Sequence, residues 1–146
     1  MKFAEILYRL AIALWVGGSA LFTFVLTPLL FKTESRDTAG RIVGTFFPGY
    51  FRWGLACGGI ALLCRLFLKG GRLELATVIL LLMLAATSFQ AYYVEPKAAE
   101  IKRQIVSFET TPKSDPLRQQ FSKLHGVSAV CNLAVVAGGV VLVILL

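Results

Sequence analysis

Residues 126–146 read GVSAVCNLAVVAGGVVLVILL, 21 consecutive positions without a charge. Crossing the ~30 Å hydrocarbon layer of a bilayer takes about 20 apolar residues, so this run is long enough to span. Working back along the chain, Leu75–Val94 supplies 20 uncharged residues and Leu10–Phe31 supplies 22. A shorter run, Trp53–Cys64, holds 12 uncharged residues between Arg52 and Arg65. As a helix it covers about 18 Å, too little to cross. Extended to Pro48–Leu68 it crosses if Arg65 snorkels to one interface and Arg52 finds water or a partner. The reading is one all-α domain, an integral membrane four-helix bundle with spans at 10–31, 48–68, 75–94 and 124–146. None of these runs alternates polar and apolar residues as barrel strands do, which excludes a closed β-barrel.

Composition agrees. Of 146 residues, 57% are hydrophobic, and the mean hydropathy is +0.74. Lys2 and Arg9, then an apolar run, then Gly18-Ser19-Ala20 resemble a signal peptide. The apolar stretch of 22 residues exceeds a typical secretory core of roughly 7–15, so it reads as a retained first span. The net charge of +7 comes from Lys and Arg flanking apolar runs, where they meet headgroups and set topology. No basic stripe interleaved with aromatics is present, so nucleic acid is not an expected partner. Ten cations from Lys32 to Lys123 fall on one side, against five on the other. By that count both termini lie outside. The expected setting is a multi-pass protein of a plasma membrane or bacterial inner membrane, with the bilayer as first partner and a homo-oligomer or larger membrane complex as further ones.

Between spans the chain carries short amphipathic segments. Ser35 or Asp37 can cap a helix bearing Ala39, Ile42, Val43 and Phe46 on one face. Phe47-Pro48-Gly49-Tyr50-Phe51 then reads as a turn into span 2, its aromatics suited to the headgroup belt. Gly70-Gly71 breaks the chain before span 3. Pro96 fits the first turn of a new helix bearing Ile101, Ile105 and Phe108, ended by Thr110-Thr111-Pro112. Short interfacial helices are therefore expected in the 32–47 and 96–112 loops. Ser114-Asp115-Pro116 reads as the start of a helix that enters the membrane some ten residues later. No repeat or low-complexity stretch is evident. The two halves show no obvious similarity, which gives an internally duplicated transporter little support.

Polar residues at the mouth of the last span carry the functional signal. His125, Ser128 and Asn132 stand at i, i+3 and i+7 on one helical face. Ser19, Thr23 and Thr27 make a similar stripe in span 1. Four antiparallel spans bring Thr27, Arg52, Glu95 and His125 to one membrane side. The bland readings are hydroxyls bonding their own helix, a structural Arg52–Glu95 ion pair, Glu95 as a cap, and His125 bonding an interfacial partner. The sharper reading is a polar vestibule in which Arg52 and Glu95 neutralise each other, His125 exchanges protons, and Asn132 bonds a solute. A second option is a soft-metal site for an ion such as Cu(I), built from Cys57, Cys131 and His125, although no C-x-x-C or Met-rich pattern supports it. Cys64 falls near the opposite interface. Haem is disfavoured, because Met83 lies mid-span, far from the one histidine. No Ser-His-Asp set, phosphate-cradling glycine loop or paired carboxylates point to catalysis, so the chain does not read as an enzyme. Otherwise no cofactor is expected.

These motifs resemble the transmembrane protein 205-like family, small four-span proteins also filed as a domain of unknown function. Trp15 through Phe31 resembles its first span. Phe47-Pro48-Gly49-Tyr50-Phe51 looks like its Phe-Pro-x-Tyr-Phe segment, and Glu95-Pro96-Lys97 is similar to its Glu-Pro-Arg. Leu117-Arg118-Gln119-Gln120-Phe121, His125-Gly126-Val127-Ser128 and Cys131-Asn132-Leu133 look like its last three motifs. The resemblance implies a helical bundle and points to Pro48, Tyr50, Phe51, Glu95, Pro96, His125, Gly126, Ser128, Cys131 and Asn132. It implies no reaction. The human member's association with resistance to platinum drugs makes metal or solute handling more plausible. Arg52 departs from the less basic polar residue the resemblance leads one to expect. A weaker likeness to bacterial copper-resistance membrane domains rests on Trp15, Gly17, Gly18 and Phe22. Two functions are thus expected. One is binding or moving a small solute or soft metal through the His125-side vestibule. The other is a non-catalytic scaffold or subunit docking through glycine-lined faces and the amphipathic 96–109 helix.

Overall fold

The computed structural model describes residues 2–68 and 73–145, so the Gly70-Gly71 breaker lies outside the described residues. Among the described residues, eight helical pieces form four long rods. The first is α1 (Lys2–Leu21), a π turn (Phe22–Leu26) and α2 (Thr27–Thr33). The second is α3 (Arg36–Arg65). The third is α4 (Leu73–Phe89), a second π turn (Gln90–Val94) and α5 (Glu95–Gln104). The fourth is α6 (Pro116–Leu145). The first, third and fourth rods are long and apolar enough to cross a membrane.

The all-α membrane bundle is as expected. Its second rod differs from expectation in form. Phe47–Phe51 is not a turn: α3 runs unbroken for 30 residues, about 45 Å, and the amphipathic 36–47 segment is its first half. Proline inside a helix removes one backbone bond and presses on the carbonyl four residues back. Here that position is Gly44. The Lys102 ammonium lies 3.4 Å from where a Cβ on Gly44 would stand and donates to the Gly40 carbonyl. The Lys102 ammonium thus lies beside Gly44 while bonding the carbonyl one turn earlier. Ser35 caps α3 by accepting the Thr38 N–H at 3.2 Å. Asp115 caps α6 through the Leu117 and Arg118 N–H groups at 2.9 and 3.2 Å, as Ser114-Asp115-Pro116 suggested. α5 ends earlier than expected, at Gln104, and the 105–115 loop folds back onto the start of α3.

α1 packs against α3 and α6, α4 against the same two, and α5 against α6. The core is apolar: Tyr8, Ile12, Trp15, Cys57, Ala61, Leu80, Met83, Val135 and Leu142 are buried together. Small residues set how closely the rods approach. A Cβ on Gly58 would stand 2.5 Å from Leu84 and 2.6 Å from Trp15. Leu14, Leu82, Val130 and Ile144 face outward, as helices solvated by lipid require. α3 follows α1 antiparallel, from Gly58 and Gly54 beside Trp15 to Tyr50 beside Phe22. It therefore lies at the depth of α1.

Candidate intramembrane polar site

Two prolines shape the site. Pro28 and Pro96 each stand second in their helix and have no N–H to offer the carbonyl four residues back. In both rods the chain widens by one residue just before the proline. The Thr27 N–H reaches the Phe22 carbonyl and the Glu95 N–H reaches the Gln90 carbonyl, both i→i−5 bonds. Such turns re-aim side chains and recur at functional sites. Here one contributes Thr23 and the other Gln90.

Those two residues belong to two hydrogen-bonded clusters that meet on one face of α6, at Asn132 and Ser128, and together form a polar system drawing on all four rods. The Tyr50 hydroxyl of α3 donates to Asn132 Oδ1 of α6. Asn132 Nδ2 donates to Thr23 Oγ1 at 2.5 Å, and the Ser19 and Thr23 hydroxyls also bond that of Tyr50. Ser128 donates to Gln90 Oε1 at 3.1 Å, while Gln90 Nε2 reaches the Ala86 carbonyl at 3.4 Å. Ser19, Thr87 and Gln90 are the buried polar side chains among the described residues. The Thr27 hydroxyl, also enclosed, has no hydrogen-bond partner. No member of the system carries a formal charge.

Of the vestibule residues read from sequence, Ser128 and Asn132 are in this system and the others are not. His125 is exposed and stacks parallel to Phe121 at 6.1 Å, within an interfacial stack that continues to Phe108. Arg52 is exposed, and no Arg52–Glu95 ion pair forms among the described residues. The cation whose field reaches half-buried Glu95 is Lys102. The soft-metal set is not assembled either. Cys57 and Cys64 lie in the apolar core, and no group of three His, Cys, Asp or Glu side chains able to hold a metal occurs among the described residues. Position along the helix explains this: His125 shares the face of Asn132 but lies seven residues, about 10 Å, nearer the start of α6, where it stacks on Phe121. Sequence reasoning missed the central role of Tyr50, assigned to the headgroup belt because Pro48 read as a turn.

Beside the system, a groove of about 440 Å³ opens between the first rod and α3. Phe22, Val25 and Leu29 form one wall; Phe46, Tyr50 and Trp53 form the other. Phe22 and Tyr50 stack at 4.6 Å, so Tyr50 has its ring in the groove and its hydroxyl in the polar system. The membrane-facing lining is almost wholly apolar.

On the side of α3's first turn, Asp37 accepts the Ser107 hydroxyl at 2.5 Å and the Phe108 N–H at 2.7 Å. These bonds, Ser107's above all, hold its carboxyl below the usual range, helped by the nearby Lys102 and Arg118 cations.

A domain of unknown function, DUF4149, matches residues 10–107, from the first span through α5. An uncharacterised protein of Aquifex aeolicus (strain VF5) is 36% identical over 135 residues, covering 87% of this chain and 86% of its own length. No solved structure matches. The resemblance read from sequence is thereby shown at the level of an uncharacterised family and not under the transmembrane protein 205-like name. The chain belongs to the DUF4149 family of domains of unknown function.

Proposed function

We propose that this small membrane protein binds, and passes across or along the bilayer, a neutral amphipathic solute drawn sideways from lipid. The observation that carries this is the position of Tyr50, shared between the apolar groove and the uncharged polar system. A groove of about 440 Å³ lies in the range of small-molecule sites, roughly 300–1,000 Å³. Its apolar walls suit the body of a solute already dissolved in lipid. Ser19, Thr23, Tyr50 and Asn132 offer donors and acceptors to its polar end. Polar groups at this depth are costly in hydrocarbon, and two helices are irregular where they meet, as in carriers built from interrupted helices. The system holds no carboxylate or imidazole, so we assign it no chemical step and no metal.

Binding of Nile red, a neutral flat amphipath, to protein in lipid nanodiscs tests this. Energy transfer from Trp53, at the groove wall, reports occupancy, with Trp53→Phe as the control. Tyr50→Phe and Asn132→Ala each leave a polar partner unsatisfied. Each is expected to weaken binding roughly tenfold, about 1.4 kcal/mol. Wild-type affinity in both variants would defeat the proposal. The scaffold reading has one observation in its favour, that the polar bonds close within the chain. It predicts that the same substitutions lower stability with no saturable binding in any variant. Its glycine faces are weakened as docking surfaces, because Gly54, Gly58, Gly138 and Gly139 are packed inside the molecule.

A further inference from the structure

The chain repeats its own architecture. Helix, five-residue π turn, helix and 30-residue helix occur in that order, then occur again. Pro28 and Pro96 stand 68 positions apart, each just after a π turn. The same shift carries Tyr8 onto Ala76, Ile12 onto Leu80, Trp15 onto Met83 and Ser19 onto Thr87, and all eight side chains are buried. A shift of 81 carries Gly54 onto Val135, Gly58 onto Gly139 and Ala61 onto Leu142, six further buried positions. The longer α5 and the 105–115 loop account for the difference between the two shifts.

Contacts repeat as well. α1 meets its own partner α3 and the other half's α6, while α4 meets its own partner α6 and the other half's α3. In the first half Phe22 packs on Phe47 at 5.8 Å. The two shifts carry that pair onto Gln90 and Ser128, which are hydrogen-bonded at 3.1 Å. α1 and α4 run in the same direction, so the halves are parallel repeats about an axis along the membrane normal. Direct comparison of the two half-sequences misses this because lipid-facing positions accept any apolar residue. Burial phase, the prolines and the close-packed glycine are what persist.

We infer that the protein is two copies of one helical hairpin that have diverged, the first copy forming the ligand groove. Phe22 and Tyr50 of the first copy line that groove; in the second copy the positions equivalent to Phe22 and Phe47 are Gln90 and Ser128, which bond each other. This rests on the solute-binding reading above and assigns contact with the ligand's flat apolar body to the first copy's aromatic rings.

Two measurements on the full chain test the inference. Leu14 and Leu82 are equivalent exposed positions, as are Ala56 and Ala137. Spin labels are placed on cysteines at these sites in a Cys57→Ala, Cys64→Ala, Cys131→Ala background. The Leu14–Ala137 distance should equal the Leu82–Ala56 distance, and Leu14–Ala56 should equal Leu82–Ala137. Unequal distances overturn the duplication whatever the protein binds. For the groove, Phe46→Ala should weaken Nile red binding roughly tenfold, while Val127→Ala, the equivalent change in the second copy, should leave it unchanged. Equal losses in the two variants, or no loss in Phe46→Ala, overturn the assignment of the groove to the first copy. Absence of Nile red binding in the wild type with matched distances defeats the solute-binding reading and leaves the duplication standing.

Discussion

Asp37 shows how much one side chain can organise. It sits in the first turn of α3, where a carboxylate is favoured by the helix dipole, but its acceptors are used on the 105–115 loop. Its folded-state pKa is lowered, so its contribution to stability is present above the unfolded value of about 4 and lost as pH falls through the folded value. Hydrogen-exchange protection of residues 105–115 should therefore hold from neutral pH down to about 5 and fall below about 4. Asp37→Asn should remove that dependence. A glycine makes a second prediction. Gly58→Ala drives a methyl into Trp15 and Leu84 and should cost about 1–3 kcal/mol in unfolding experiments. Gly17→Ala, where nothing lies within 4 Å, should be neutral or slightly stabilising. Both glycines stand in uncharged apolar runs, and nothing local in the sequence distinguishes them.

Among the elements, the three rods with a proline in their interior use two solutions. Where Pro28 and Pro96 stand, the helix widens into a π turn; where Pro48 stands, the helix stays continuous, with a glycine, Gly44, at the position the proline ring presses on. Pro96→Ala restores an N–H that can reach the Tyr92 carbonyl. The turn should close to a regular helix, raising hydrogen-exchange protection across 90–96 and breaking the Ser128–Gln90 bond. Unchanged protection would show that the turn has another cause. Lys102→Met removes the donor to the Gly40 carbonyl and should destabilise the α3–α5 contact by roughly 1–3 kcal/mol. The helices themselves were legible from the length of their uncharged runs. The unbroken α3 was not, because Pro48-Gly49 carries the local signature of a turn, while the helices that pack along α3 are set by residues far away in the chain.

At the scale of the whole molecule, the bundle buries two of its three thiols. Cys57 and Cys64 are in the core, so both should resist thiol reagents in the folded protein and react on denaturation. Cu(I) titrated against a competing chelator should show no stoichiometric site dependent on Cys57, Cys131 and His125. A stoichiometric site lost in Cys131→Ser would contradict the assignment. Uncharged runs long enough to cross a bilayer, bracketed by Lys and Arg, dictated a helical membrane bundle, since no other backbone arrangement of these runs satisfies its hydrogen bonds in hydrocarbon. The cap at Asp115 and the shared face of Ser128 and Asn132 were likewise readable, because they depend on neighbours within a turn or two. Which polar residues meet depended on packing. Asn132 reaches Tyr50 and Thr23 while His125, two turns earlier on the same face, stacks on Phe121, and the halves align in burial without aligning in residue type. Those outcomes follow from where along and around each helix the others pack, which is set by contacts between residues far apart in the chain.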